Sequence, residues 1–132
     1  MYHWGIAWTM LCVASGLHVL DEALTDFLSV YNPIVRTLRK KFPFLPLPTF
    51  AFSVWLTLLI LGLLVLFALS PLAFREVAWM RPASYLFAAI MLGNGLLHIG
   101  ASLYFRRLVP GAYSSPLLIV AATYLLASVV RQ

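Results

Sequence analysis

Four stretches of the chain carry almost no Asp, Glu, Lys or Arg: Trp4 to Val30, broken only near its end, Thr49 to Phe74, Pro82 to Phe105 and Leu108 to Val130. Each is long enough to cross a hydrocarbon layer of about 30 Å as a helix of roughly 20 residues. Without water inside that layer, backbone N–H and C=O groups must pair within the segment, which a helix does and an irregular chain does not. The expectation is therefore an all-α fold: a four-helix transmembrane bundle forming one domain over residues 1–132, with spans near 4–30, 49–73, 82–105 and 110–130. Composition closes the other routes. Of the residues, 63% are hydrophobic and 10% charged, against roughly a quarter charged in a soluble domain. One cysteine excludes a disulfide scaffold, and the spans leave no room for a separate water-soluble catalytic domain.

The net charge of +5 does not point to nucleic acid, because the basic residues sit in short loops beside apolar runs. Anionic lipid headgroups are the better partner. Arg36, Arg39, Lys40, Lys41, Arg106 and Arg107 make six basic residues on one side, against Arg75, Arg81 and Arg131 on the other. Basic loops stay in the cytoplasm, so both termini should face outward. The opening residues lack the basic region and cleavage site of a signal peptide, so the first span is expected to be retained. Tyr2, Trp4, Trp8, Trp79, Tyr85, Tyr104 and Tyr113 stand where interfacial aromatics belong. The first loop, Tyr31 to Pro48, reads as an irregular segment in the headgroup region, since Pro43, Pro46 and Pro48 forbid a helix around them.

Three of the four acidic residues, Asp21, Glu22 and Asp26, fall on the first apolar span just after His18. A carboxylate at the centre of a span costs about 2.5 to 3.5 kcal/mol on insertion scales, so such groups face the bundle interior and have a partner. By helical period, Glu22 lies about 40° from His18, Asp26 about 80° and Asp21 about 60° on the other side. One face presents an imidazole flanked by carboxylates. The third span carries Asn94, His98 and Ser102 as a polar stripe, with Gly93, Gly95 and Gly100 around it. Small residues let membrane helices approach closely, and these are expected to bring the His98 face against the His18 face.

Two imidazoles and up to three carboxylates, with no Lys or Arg in the spans, need neutralising. Carboxyl protonation, a His⁺–carboxylate pair and a bound divalent cation are the three solutions. Two His with one or two carboxylates suit zinc or non-haem iron and leave a position for water or oxygen. His18, Asp21, Glu22 and His98 are the candidate metal ligands, and Glu22, His18 and His98 the candidate catalytic groups. Asp26 and Asn94 would support the ligands or contact substrate. Pro110-Gly111 reads as a turn that starts the last helix.

His18-Val19-Leu20-Asp21-Glu22, then Asn94-Gly95-Leu96-Leu97-His98-Ile99, then Leu108-Val109-Pro110-Gly111 resembles the HXXEE-domain family of small bacterial integral membrane proteins. That pattern has His-x-x-Glu-Glu, a later histidine and Tyr-x-Pro-Gly. Asp21 replaces the first Glu and Leu108 the Tyr; Glu22, His18 and His98 match. The resemblance implies a bacterial inner-membrane protein and supports the site, but the family brings no reaction with it.

The chemistry expected of these residues is that of a membrane-embedded, metal-dependent enzyme, a hydrolase or oxidoreductase, acting on a lipid or isoprenoid-like substrate. A metal-free acid/base isomerase using Glu22 is the second enzymatic reading. A small ion- or proton-coupled transporter or channel subunit is the competing class; four helices barely enclose a path, so it would act as a homo-oligomer. Sidedness is directly testable. Single cysteines at Thr37 and Arg107, in a Cys12→Ala background, are expected to resist impermeant thiol reagents in intact cells while one at Gln132 reacts; labelling of both loop positions from outside would reverse the orientation.

Overall fold

The computed structural model describes residues 3–131, so Tyr2 and Gln132 lie outside the described residues. Six helices follow one another: α1 (His3–Leu24), α2 (Phe27–Lys41), α3 (Phe52–Ala68), α4 (Ser70–Phe74), α5 (Met80–Phe105) and α6 (Ser115–Val130). The described residues contain no strand. Three helical runs, His3–Leu24, Phe52–Phe74 and Met80–Phe105, are long and apolar enough to cross a membrane, and Ser115–Val130 is a shorter apolar helix.

The first span differs from expectation. Rather than running to residue 30, α1 stops at Leu24, and Asp26 takes a left-handed conformation (φ 56°) before α2 begins. Local polar side chains compete for the backbone there: Thr25 Oγ1 donates to the Asp21 carbonyl at 2.6 Å and Ser29 Oγ to the Asp26 carbonyl at 2.8 Å. Such bonds offer the chain an alternative to the helical ladder, and Asp tolerates the left-handed region better than most residues. The first loop differs too, because its first part, Tyr31 to Lys41, is helical and belongs to α2. Arg39, Lys40 and Lys41 fill its last turn, where cations meet the negative end of the helix dipole. The stretch around Pro43, Pro46 and Pro48 is non-helical, as read from the prolines.

α6 packs along both α5 and α1, whereas α1 and α5 approach each other directly at few places. Ser115, Leu118, Ala121, Ala122, Leu125, Ser128 and Val129 bury its inner face. The glycine stripe is used differently from expectation, because α6 rather than α1 lies against it. A Cβ on Gly95 would meet Ile119 of α6 at 2.8 Å, while a Cβ on Gly93 or Gly100 would meet nothing within 4 Å. Gly95 therefore admits α6.

Trp4 and Trp8, read as interfacial aromatics, lie inside the core at 4% and 1% exposure. Their indole N–H groups find partners there. Trp4 Nε1 donates to Ser84 Oγ at 2.8 Å and Trp8 Nε1 to the Leu66 carbonyl at 3.0 Å, tying α1 to α5 and α3. A buried indole without such an acceptor would be destabilising. α3 contributes little to the core: Trp55 is its one buried residue, Leu66 packs partly buried against the core, and most of its remaining apolar surface faces outward.

The tightest helix approach is at Gly5, where an added Cβ would come within 2.5 Å of the Phe74 ring and 2.8 Å of the Phe74 Cα. The backbone atom cannot rotate away. Gly5→Ala is therefore expected to destabilise the folded protein by about 1 to 3 kcal/mol, the usual range for overpacking. Gly62→Ala, whose Cβ meets nothing within 4 Å, should be neutral or stabilising. Thermal unfolding of the two variants in detergent checks the contrast.

Candidate functional site

Polar side chains gather at the end of the bundle where α1 finishes, α5 finishes and α6 begins. His18 and Glu22 are one turn apart on α1, and His98 comes from α5. Glu22 Oε1 is 3.0 Å from His98 Nε2 and 3.5 Å from His18 Nε2, and all three side chains are more than nine-tenths buried. The two imidazoles meet edge to face with ring centroids 4.9 Å apart. One ligand atom from each of His18, Glu22 and His98 falls within 4.8 Å of the others, the only such group of three His, Cys, Asp or Glu residues among those described.

His18 is held from behind. Its Nδ1 lies 2.8 Å from Ser114 Oγ, and Ser114 donates both its hydroxyl and its backbone N–H to Asp21 Oδ2, each at 2.8 Å. Asp21 thus stands apart from the three converging side chains with which it was grouped as a ligand. Its shorter arm meets the residue that opens α6, where orphan N–H groups and the positive end of the helix dipole favour an anion. His18 Nε2, on the cluster side, is buried and has no hydrogen-bond partner.

The Pro110-Gly111 turn does more than start α6. Gly111 adopts φ 84°, and a Cβ there would sit 2.7 Å from His98 Cε1, 2.8 Å from His98 Nδ1 and 3.1 Å from Glu22 Cγ. The turn therefore closes the cluster with bare backbone. Ser102 holds it in place, donating its hydroxyl to the His98 carbonyl at 2.8 Å and accepting from the Val109 N–H at 3.2 Å. Ser115 Oγ donates to the Gly111 carbonyl at 2.7 Å on the other side.

Aromatic rings cover the remaining flank. Phe27, the first residue of α2, is 5.7 Å from the His98 ring and stacks on Trp55 of α3 at 5.8 Å and on Tyr31 at 5.4 Å. Asn32 fastens this cover with a two-point clamp, its Nδ2 donating to the Phe50 carbonyl at 2.9 Å and its Oδ1 accepting from the Phe50 N–H at 3.0 Å. The break after α1 is thus what turns Phe27 back over the site.

The remaining expected residues fall outside the cluster. Asp26 is exposed in the link between α1 and α2, because the helix that would have carried it around to His18 has already ended. Asn94, one turn before His98, is half-buried and makes no side-chain hydrogen bond among the described residues. Ser114 and Phe27 escaped the sequence reading, which placed Ser102 on the polar stripe and Gly111 in a turn without assigning either to the cluster. Ser114 left a local signal, as a serine just ahead of Ser115-Pro116 at a helix start.

The chain belongs to the HXXEE family, matching over residues 8–126 the model described as "Protein of unknown function with HXXEE motif". The match spans α1 to α6 and includes every residue of the cluster and of its supports. No curated protein and no solved structure matches the chain.

Gly111→Ala tests whether the bare turn is required. A left-handed backbone costs an L-residue about 1 to 2 kcal/mol, and the added methyl collides with the His98 ring. The variant should unfold at lower temperature than wild type and should shift the His98 ring resonances in a histidine NMR spectrum. An unchanged His98 signal would show that the turn does not press on the site.

Proposed function

We propose that the chain is a four-helix bundle in the bacterial inner membrane, with α6 as its fourth span. In this reading it holds a divalent metal, zinc or iron, between His18, Glu22 and His98, and acts as an enzyme on a lipid or isoprenoid-like substrate. The observation that carries the reading is the convergence of two imidazoles and one carboxylate in a buried site where His18 Nε2 has no other partner. Tetrahedral zinc with bonds of about 2.0 to 2.1 Å separates its ligand atoms by about 3.3 Å. The 3.0 and 3.5 Å separations around Glu22 Oε1 bracket that spacing. Two His and one Glu are also the ligand set that leaves a fourth position for water or substrate.

A bound ion would supply Lewis acidity and lower the pKa of a coordinated water. The protein's own groups do the rest. Glu22 contributes the negative charge that offsets a dication, His18 and His98 contribute neutral nitrogen donors, and Gly111 with the Phe27 ring limits access of bulk water from the loop side. Asn94 offers its unpaired amide to a substrate one turn further into the bilayer. The cluster lies at the bundle end that carries the larger basic count, which under the positive-inside rule is the cytoplasmic end.

The metal-free acid/base reading draws on one specific contact, the 3.0 Å approach of His98 Nε2 to Glu22 Oε1, across which a proton can be shared. It leaves His18 Nε2 buried and unpaired, so the metal reading accounts for more of the geometry. A transport path needs polar groups through the whole thickness. Beyond the cluster, the bundle is filled by Trp8, Leu11, Phe87, Leu118 and Leu125, which supports a blind site.

Elemental analysis of protein purified under gentle conditions is expected to find about one zinc or iron per chain, as a single three-ligand centre requires. Glu22→Gln and His98→Ala should each abolish it, while Asp26→Asn, remote from the cluster, should retain it. Wild type without stoichiometric metal, after expression with zinc, iron and manganese supplied, would overturn the metal reading in favour of the acid/base one.

A further inference from the structure

Ser114 stands at a point where the hydrogen-bond bookkeeping has one solution. Its hydroxyl carries a single proton. Two pure acceptors compete for it, Asp21 Oδ2 at 2.8 Å and the Gly111 carbonyl at 3.3 Å. The Asp21 carboxylate wins on distance and charge, and it is locked in place by the Ser114 backbone N–H at 2.8 Å. With the proton given to the carboxylate rather than to the imidazole, the hydroxyl turns a lone pair toward His18 Nδ1, 2.8 Å away. That contact is a hydrogen bond only if Nδ1 bears the hydrogen.

A neutral imidazole holds one N–H, so a hydrogen on Nδ1 leaves Nε2 bare. Nε2 is the ring nitrogen that faces Glu22 Oε1 at 3.5 Å and has no hydrogen-bond partner. Both ends of the ring therefore agree. We propose that Asp21 and Ser114 form a positioning pair that holds His18 as the Nδ1–H tautomer and aims its Nε2 lone pair into the cluster as a ligand nitrogen.

This inference deepens the metal reading of the same cluster and assigns the two acids of the motif to different tasks. Glu22 reaches the cluster itself; Asp21 reaches Ser114, and acts on His18 through it. Outer carboxylates that fix the tautomer of a liganding histidine recur in zinc sites, and their removal lowers metal affinity by about 10- to 100-fold. Here the relay passes through a hydroxyl at the start of α6. The docking of that helix on α1 and the tautomer of His18 then depend on the same two side chains.

The test uses the full chain in detergent micelles, labelled with ¹⁵N-histidine and freed of metal, with His18 signals assigned by their loss in His18→Gln. Wild type is expected to show His18 protonated on Nδ1 and bare on Nε2. Ser114→Ala should move the proton to Nε2 and weaken zinc binding, titrated against a competing chelator, by about 10- to 100-fold. Ser114→Thr, which keeps the hydroxyl, should restore both tautomer and affinity. Wild-type His18 found as the Nε2–H tautomer would overturn the inference, and this measurement stands even if Ser114→Ala fails to fold. An unchanged tautomer and unchanged zinc affinity in folded Ser114→Ala would overturn it as well, while leaving the metal reading intact. Conversely, an Nδ1–H wild-type His18 in a protein that takes up no zinc, iron or manganese would sink the metal reading and support the positioning pair.

Discussion

A carboxylate taken out of water into an apolar bundle needs a donor or a cation beside it, and Glu22 Oε1 faces two histidine nitrogens, His98 Nε2 at 3.0 Å and His18 Nε2 at 3.5 Å. One of them lies a turn away on the same helix and follows from the period of the helix alone. The other must come from a different span. His98 can reach Glu22 only if α5 ends beside α1, and the gap between them can close only if the turn over it has no side chain. Gly111, with φ 84°, meets both demands at once, since a glycine tolerates that backbone and leaves room for the His98 ring.

α6 is what brings α1 and α5 into that relation. It packs on each along its length, and charged groups hold it at both ends. The Asp21 carboxylate meets the Ser114 N–H where α6 begins, and Arg81 Nη2 donates to the Val129 carbonyl at 3.2 Å where it finishes. An anion at the N-terminus and a cation at the C-terminus both complement the helix dipole. The large core residues at the far end, Trp4 and Trp8, fix α1 against α5 and α3 by indole hydrogen bonds. The histidine cluster is thus the second of two anchor points between α1 and α5.

The break between α1 and α2 gives this end of the bundle its cover. A continuous helix to residue 30 would have carried Phe27 along the membrane span. With Asp26 in the left-handed region, Phe27 instead stacks against His98 and Trp55, and the Asn32 clamp on Phe50 keeps α2 folded over the site. Aromatic rings and the bare backbone at Gly111 thus close the loop side of the cluster.

The helical class and three membrane-length runs were legible in the sequence, because charge is too costly in hydrocarbon to be scattered and its absence marks those segments. His18, Glu22 and His98 were legible for the same reason: ionisable groups inside apolar runs stand out without any knowledge of what they touch. Asp21 and Asp26 were equally conspicuous, yet α1 ends at Leu24, before Asp26, and Asp21, still within α1, turns to Ser114 at the start of α6. Ser114 and Phe27 were silent, and Ser102 and Gly111 showed only as a stripe residue and a turn, because small, hydroxyl and aromatic residues are ordinary at helix ends and turns. Their roles depend on which distant atoms stand opposite. Through charge and periodicity, then, the sequence by itself determined which side chains could not face lipid. Only the tertiary structure decided which of them meet, because that choice rests on helix order, on α6 lying between α1 and α5, and on a backbone turn whose fit is measured in tenths of an ångström.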